Sequence, residues 1–319
     1  MGESFGWCFI GCGKIARRAA DDFLHCAPGT HLATVYARNA ERARAFAANY
    51  GAQACDTPEK AILAPDVRAV YVCTTNPSHK AYCLLALRLG KPVLCEKPVA
   101  LDLPEAREVV ETARKQGVYY MEGMWTRHLP AVRQALDWAR QGAVGRLKSL
   151  SAVFAMSFPF DPTHRLFDPA QGGGAMLDIG VYTLALAHAV FGVMPEVAQA
   201  VTEWAPTGVD SAMACALRYP GGALARLYFS TDAMEPNDAF IVGESGRIVL
   251  PQPFWAARQA CLYTADRADE TFCGDHPGTG MQYEFDAARA DIEAGRLENA
   301  LVTHDMTLGV MALMDRLRA

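Results

Sequence analysis

Through residue 122 the apolar positions come in short, nearly continuous runs, each followed by a mixed stretch with helical spacing. The runs are Trp7 to Ile10, His31 to Ala37, Val67 to Thr74, Val93 to Cys95 and Val118 to Glu122. An unbroken apolar run bounded by turn residues is the pattern of a strand covered on both faces, and its alternation with helices predicts a doubly wound parallel sheet. Helix ends are marked as well. A glycine turn at residue 11 opens a helix to Leu24, and Asn76 and Pro77 suit an N-cap and first helical position, with Gly90 closing that helix. Asp102-x-x-Glu105 reads as a capping box for a helix ending near Gly117.

Beyond residue 122 the pattern changes. Pro130 to Gln141 is helical, Ser149 to Phe158 alternates like a strand, and Gly172-Gly173-Gly174 leads into an apolar helix to about Phe191. From Glu196 to Thr264 strands and turns follow one another: Glu196 to Trp204, Asp210 to Tyr219, Ala223 to Thr231, Ala239 to Val242 and Arg247 to Leu250. Such hairpins build an antiparallel sheet with one face free for a second copy of the chain. Helices at Met281 to Ala294 and His304 to Leu317 close the chain. The fold class expected is α/β: a doubly wound parallel sheet over residues 1–122, then an α+β domain over 123–319 with an open, mainly antiparallel sheet.

With 319 residues, 51% hydrophobic and 20% charged, the chain can bury two cores. A net charge of −5 argues against nucleic acid or an anionic membrane as partner. The longest apolar run, Tyr182 to Met194, is short for a bilayer span and carries His188. Ten cysteines lie singly in apolar segments with no C-x-x-C, and the eight histidines show no zinc spacing, so neither disulfides nor a metal is expected. With no basic n-region at the N-terminus and no run long enough to span a bilayer, a cytoplasmic location is expected.

Candidate chemistry gathers where strands end. After the first strand, Gly11-Cys12-Gly13-Lys14-Ile15-Ala16 has the G-x-G-x-x-A form: Gly11 for the tight turn, Gly13 for close approach of a pyrophosphate, Ala16 for helix–strand packing. The second strand ends at Arg38, where an NAD enzyme carries an acid, and Arg42 follows one turn later. A guanidinium pair suits a 2′-phosphate, so NADP is expected over NAD. Thr74, Asn76 and His79 sit at the same sheet edge and could line the cofactor, although His79 could instead cap or pack. The strand at 93 ends in Cys95-Glu96-Lys97-Pro98, which would project Glu96 and Lys97 into the crevice on a stiff backbone. Asp178 and Tyr182, four apart on an apolar helix, are costly there unless paired or used.

Together the G-C-G-K-I-A turn, Thr74 to Lys80, C-E-K-P at 95–98 and G-G-G-A-M-L-D-I-G-V-Y at 172–182 resemble the glucose-fructose oxidoreductase/inositol dehydrogenase (Gfo/Idh/MocA) family. Met121-Glu122-Gly123-Met124-Trp125-Thr126-Arg127 and Gly280-Met281-Gln282-Tyr283-Glu284 are most similar to its dimeric dihydrodiol dehydrogenase and NADP-dependent sugar dehydrogenase branch. The resemblance implies a Rossmann domain, a C-terminal sheet used for oligomerisation, and hydride transfer on a sugar, polyol or cyclic diol. It adds Arg127 to the cofactor contacts and Trp125, Phe154 and Trp255 to the substrate pocket. Many members carry histidine where Tyr182 stands, and no long N-terminal arm is present here, which points to release of nucleotide on each turnover.

In that reading Tyr182 exchanges the hydroxyl proton, Lys97 assists it, and Asp178 orients the pair. A free tyrosine, with a pKa of about 10, is a poor base at neutral pH. An ammonium about 4 Å away, at an effective dielectric of about 20, favours the phenolate by about 4 kcal/mol. The rival reading is a non-catalytic NADP sensor on the same fold, which the joint presence of Lys97, Asp178 and Tyr182 disfavours.

Overall fold

The computed structural model describes residues 4–266 and 268–318. It divides into two compact units: residues up to Trp125 together with Pro277–Thr307, and Thr126–His276 together with the residues from Leu308 on.

The first unit alternates as its sequence predicts. Its elements are β1 (Phe5–Ile10), α1 (Lys14–Asp22), β2 (Thr30–Tyr36), α2 (Ala40–Asn49), β3 (Gln53–Ala54), α3 (Pro58–Ile62), β4 (Val67–Val72), α4 (His79–Arg88), β5 (Val93–Glu96), α5 (Leu103–Gln116) and β6 (Tyr120–Gly123). The strands pair in parallel in the order β3-β2-β1-β4-β5-β6, and β1 and β5 are buried along their whole length. Chain order reverses between β1 and β4, so the loops leaving these strands diverge and open a crevice at their carboxyl ends. Helix ends carry the expected chemistry: Asp102 accepts from the Glu105 N–H at 2.9 Å, and Gly117 closes α5 in the left-handed region. One boundary differs. Asn76–Ser78 is a 3₁₀ turn and α4 starts at His79, so Asn76 is not its N-cap.

The second unit begins with α6 (Pro130–Arg140) and β7 (Leu147–Ala155). It continues through α7 (Val181–Phe191), β8 (Val197–Trp204), β9 (Asp210–Arg218), β10 (Leu224–Ser230), β11 (Ala239–Gly243), β12 (Gly246–Leu250), β13 (Gln259–Thr264) and β14 (Glu270–Cys273). Its sheet runs β14-β13-β12-β11-β7-β10-β9-β8, antiparallel except where β10 lies parallel to β7. Strand alternation gives the sheet two faces. Leu150, Ala152, Phe154, Leu227 and Phe229 are buried on one, while Val201, Leu224 and Phe240 stand exposed on the other. The helical stretch Pro169–Phe191 is longer than the 182–194 run and apolar enough to cross a membrane by length and composition. Its most apolar window is 72% buried, the mark of a core helix.

The chain then closes with α8 (Gln282–Glu293) and α9 (His304–Arg318). A division at residue 122 assigns both to the second domain, whereas 277–307 packs in the first unit. The reason is an aromatic cluster: the Phe285 ring lies 4.9 Å from those of Trp7, Phe23 and Tyr71. Buried Asp22 at the end of α1 holds the approach to α8 by accepting from the N–H groups of Thr279 (2.9 Å) and Met281 (3.0 Å).

Candidate active site

At the carboxyl end of β1 the backbone of Gly11 has φ +123°, and a Cβ there would lie 2.5 Å from the Cys73 carbonyl oxygen. Only glycine fits this turn. At Gly13 an added Cβ would meet nothing within 4 Å, and no side chain caps α1, so the first-turn N–H groups face open space. Ala16 is buried against the sheet. Lys14 and Arg42 are exposed and Ile15 is half-buried beside this turn, and Arg42 and Arg17 both act on the Cys12 thiol within it. Arg38 is exposed at the end of β2, and the Asn39 side chain caps α2 by accepting from the Arg42 N–H at 2.9 Å. Cations beside open helix N–H groups make a cradle fit for a dinucleotide's phosphates.

The loop after β5 is fastened from both sides. The His79 ring places Nδ1 at 2.8 Å from the Pro98 carbonyl and Nε2 at 3.1 Å from the Thr74 carbonyl. His79 is therefore a buried strut tying two loops, the packing alternative of the sequence reading. Two carbonyls favour the imidazolium, but burial, reinforced by Lys97, prevails and holds the ring below its usual pKa. On the other side the Val99 N–H donates to Glu122 Oε1 at 3.0 Å, and Thr307 Oγ1 donates to Oε2 at 3.0 Å. Burial pushes the Glu122 carboxyl up to about 7 despite these two donors and Lys97. Both fastenings fall on the peptide group joining Pro98 to Val99, immediately after Lys97, which is half-buried.

Glu96 departs from its expected position. It is turned inward, buried, and accepts a short hydrogen bond from Tyr71 Oη instead of projecting into the crevice. Beneath it lies Glu284, fully buried, with neither carboxyl oxygen hydrogen-bonded among the described residues. Burial, reinforced by Glu96, holds the Glu284 pKa well above the usual range, and Arg18 acts on both acids in the opposite sense. The Arg18 guanidinium also lies 4.6 Å over the Trp125 ring, which is buried.

The second unit brings together the other candidates. Met176–Gly180 forms a π-turn ahead of α7, a local widening that recurs at functional sites. It is fixed by Asp210, whose carboxyl accepts from the Met176 N–H at 2.6 Å. Gly174, at φ +114°, has no room for a side chain because Asp210 Oδ1 occupies the place of a Cβ. Burial raises the Asp210 carboxyl to about 6. Asp178 accepts from both guanidinium nitrogens of Arg165, at 3.0 and 3.3 Å. Tyr182, 9% exposed, lies 5.5 Å from Phe154 ring to ring, and Phe154 stacks on Trp255 at 3.3 Å and 4°. Thr126 Oγ1 donates to the Trp255 carbonyl at 2.8 Å, fixing the stack. Arg127 is buried, with burial and Arg140 lowering its pKa to about 10. Lys97 and Trp125 thus belong to the first unit, and Asp178, Tyr182, Phe154, Trp255 and Arg127 to the second.

Comparison with known proteins places this architecture. The oxidoreductase family with an NAD-binding Rossmann fold matches residues 5–124, and the GFO/IDH/MocA C-terminal domain matches residues 132–249. The chain belongs to the GFO/IDH/MocA oxidoreductase family. This GFO/IDH/MocA chain is 34% identical over 282 residues to the trans-1,2-dihydrobenzene-1,2-diol dehydrogenase of Bos taurus, covering 85% of this chain and 83% of that one. Its identity to the Mus musculus protein of the same name is 35% over 93% and 90% of the two chains. A 3-ketoreductase from Actinomadura kijaniata, solved with NADP and TDP-benzene, has TM-score 0.87 at 27% identity and covers 99% of this chain and 97% of its own. An aldose-aldose oxidoreductase from Caulobacter crescentus, at 24% identity and TM-score 0.89, shares the fold. The protein is an NAD(P)-dependent oxidoreductase.

Several polar residues beside the candidate groups escape sequence reasoning, Tyr71, Glu122 and Arg18 in the first unit and Arg165 and Asp210 in the second. Tyr71 and Glu122 sit inside apolar strand runs and read there as packing. Glu284 and Glu122 had one signal, their place within the motifs shared with the dihydrodiol branch.

Proposed function

We propose that this protein is an NADP-dependent dehydrogenase acting on a carbinol carbon of a sugar, polyol or cyclic trans-diol, with Tyr182 exchanging the hydroxyl proton at Oη and Lys97 assisting. The observation that carries this reading is the doubly fastened Pro98–Val99 peptide that directly follows Lys97 at the carboxyl end of β5. Such effort to fix one lysine is expected of a catalytic group, whose placement matters to fractions of an ångström. When bound, the nicotinamide supplies hydride transfer. Gly11, Gly13, Lys14, Ile15 and Ala16 would hold its pyrophosphate, Thr74 and Asn76 would border it, and Arg38 and Arg42 would take a 2′-phosphate. Arg127 remains a proposed cofactor contact through the family resemblance. Asp178, paired with Arg165, would hold the turn that presents Tyr182. The stacked faces of Phe154 and Trp255 suit cyclic diols and pyranose rings alike, and Trp125 remains a proposed substrate contact through the family resemblance. The named activity of the curated relatives and the NADP in the 3-ketoreductase complex support this substrate range and cofactor.

The test is a panel of aldoses and trans-diols assayed for NADPH and NADH absorbance. Turnover with NADP is expected on at least one class, and Lys97→Met and Tyr182→Phe should each lose at least a hundredfold in kcat while binding NADPH within threefold of wild type. Near-normal turnover in either variant removes that residue from the mechanism. Nucleotide binding without turnover on any substrate would favour a sensor.

We place the enzyme in the cytoplasm, since all ten cysteines are free thiols, as a reducing compartment keeps them. The open sheet face, with Val201 and Leu224 exposed, would take a second copy of the chain to give a homodimer or higher homo-oligomer. Light scattering should give at least twice the 34.6 kDa chain mass, and Val201→Glu with Leu224→Glu should return the monomer.

A further inference from the structure

Among the buried ionisable groups of the first unit, Glu122 grips the peptide that follows Lys97 and Pro98. It ends the apolar run of β6, pairs in register with Cys95 of β5, and is 4% exposed. Both oxygens are engaged, Oε1 by the Val99 N–H two residues beyond Lys97 and Oε2 by Thr307 Oγ1 on α9. A donor on each oxygen favours the ionised form, against the burial that raises the carboxyl to about 7. An ionised carboxylate in a dry site is costly, and the two donors, with Lys97 acting in the same sense, oppose that cost.

We propose that Glu122 is the positioning residue for Lys97: its carboxylate clamps the chain beyond Pro98 through the Val99 N–H. This rests on the hydride-transfer reading above and assigns Lys97's placement to a residue outside the nucleotide and substrate contacts. The clamp is strongest when Glu122 is ionised. The groups facing it are Lys97 and Glu96 on the β5 side, the Cys95 thiol, the Tyr120 hydroxyl on its own strand, and the Thr307 hydroxyl. Cys95 and Tyr120, held neutral by burial, leave Lys97 as the cation and Glu96 as the competing acid. Protonation of Glu122 weakens the bond to Val99, so turnover acquires an acid limb near neutral pH.

The test compares the full-length protein with its Glu122→Gln and Thr307→Val variants by two readouts. The first is turnover across pH 5.5–9 on a substrate the panel identifies. Glu122→Gln is expected to lose at least tenfold in kcat with KM within threefold, and to lose the acid limb. Thr307→Val, which removes a donor that favours the ionised carboxylate, is expected to move that limb to higher pH. The second is the amide resonance of Val99, which needs no substrate: it should shift with pH through a midpoint near neutrality in the wild type and stay flat in Glu122→Gln. If Glu122→Gln fails to fold, the Thr307→Val midpoint decides, an upward move supporting the clamp and an unchanged one overturning it. A wild-type pH profile and kcat in Glu122→Gln, or a Val99 resonance indifferent to pH in the wild type, overturns the proposal. Absence of turnover from the wild type on every substrate is a failure of the dehydrogenase reading alone, and the Val99 resonance then judges Glu122 by itself.

Discussion

Gly11 shows how much a single residue can fix. Its φ of +123° and the Cys73 carbonyl 2.5 Å from where a Cβ would stand exclude every other side chain. Gly11→Ala is expected to cost about 1–3 kcal/mol of stability, from backbone strain at such a position, and to weaken NADP binding at least tenfold, read by denaturant unfolding and by fluorescence titration. The arginines at the end of β2 make a second prediction. Exposed Arg38 and Arg42 would each give a charge-assisted hydrogen bond to a 2′-phosphate, so Arg38→Ala with Arg42→Ala should weaken NADP by about 10–100-fold. NAD binding, measured in the same titration, should change little. The glycine turn is legible in the chain because it acts through its own local geometry. Glu96 is not, since the same strand end could turn its side chain outward to the crevice or inward to Tyr71.

At the scale of one element, the π-turn and α7 depend on Asp210, a residue thirty-odd positions along the chain on β9. Asp210→Ala leaves the buried Met176 N–H without its acceptor and should cost about 1–3 kcal/mol, while Asp210→Asn keeps an acceptor and should cost less. The pH dependence has a definite sign. The carboxyl rises from 3.8 to about 6 on folding, so between those values the folded protein binds more protons than the unfolded chain. Stability from this group is therefore fully present below 3.8 and falls as pH rises to about 6, opposite to an ordinary salt-bridged acid. Urea unfolding at pH 4.5 and 7 should show wild type losing more stability over that interval than Asp210→Asn. Three glycines before an apolar run announce a helix start, but not that a distant aspartate occupies the space the last of them leaves.

Over the whole molecule, the return of 277–307 to the first unit is the largest departure from a linear reading. Phe285 is fully buried among Trp7, Phe9, Phe23 and Tyr71. Phe285→Ala should cost about 3–5 kcal/mol, the loss of a buried aromatic plus the cavity it leaves, and chemical denaturation monitored by Trp7 fluorescence would measure it. What the sequence by itself determined is whatever depends on neighbours along the chain: strand and helix periods, caps, the glycine turn, the reversal-free alternation of a parallel sheet, and the residue types at the strand ends. Tertiary structure alone decided which buried acids face each other, which side of β5 Glu96 takes, what clamps the loop of Lys97, and where the last helices dock. The physical reason is that apolar patterning specifies which face of an element is buried but not its partner, and a polar group inside a protein is made tolerable only by donors and charges that distant segments bring to it.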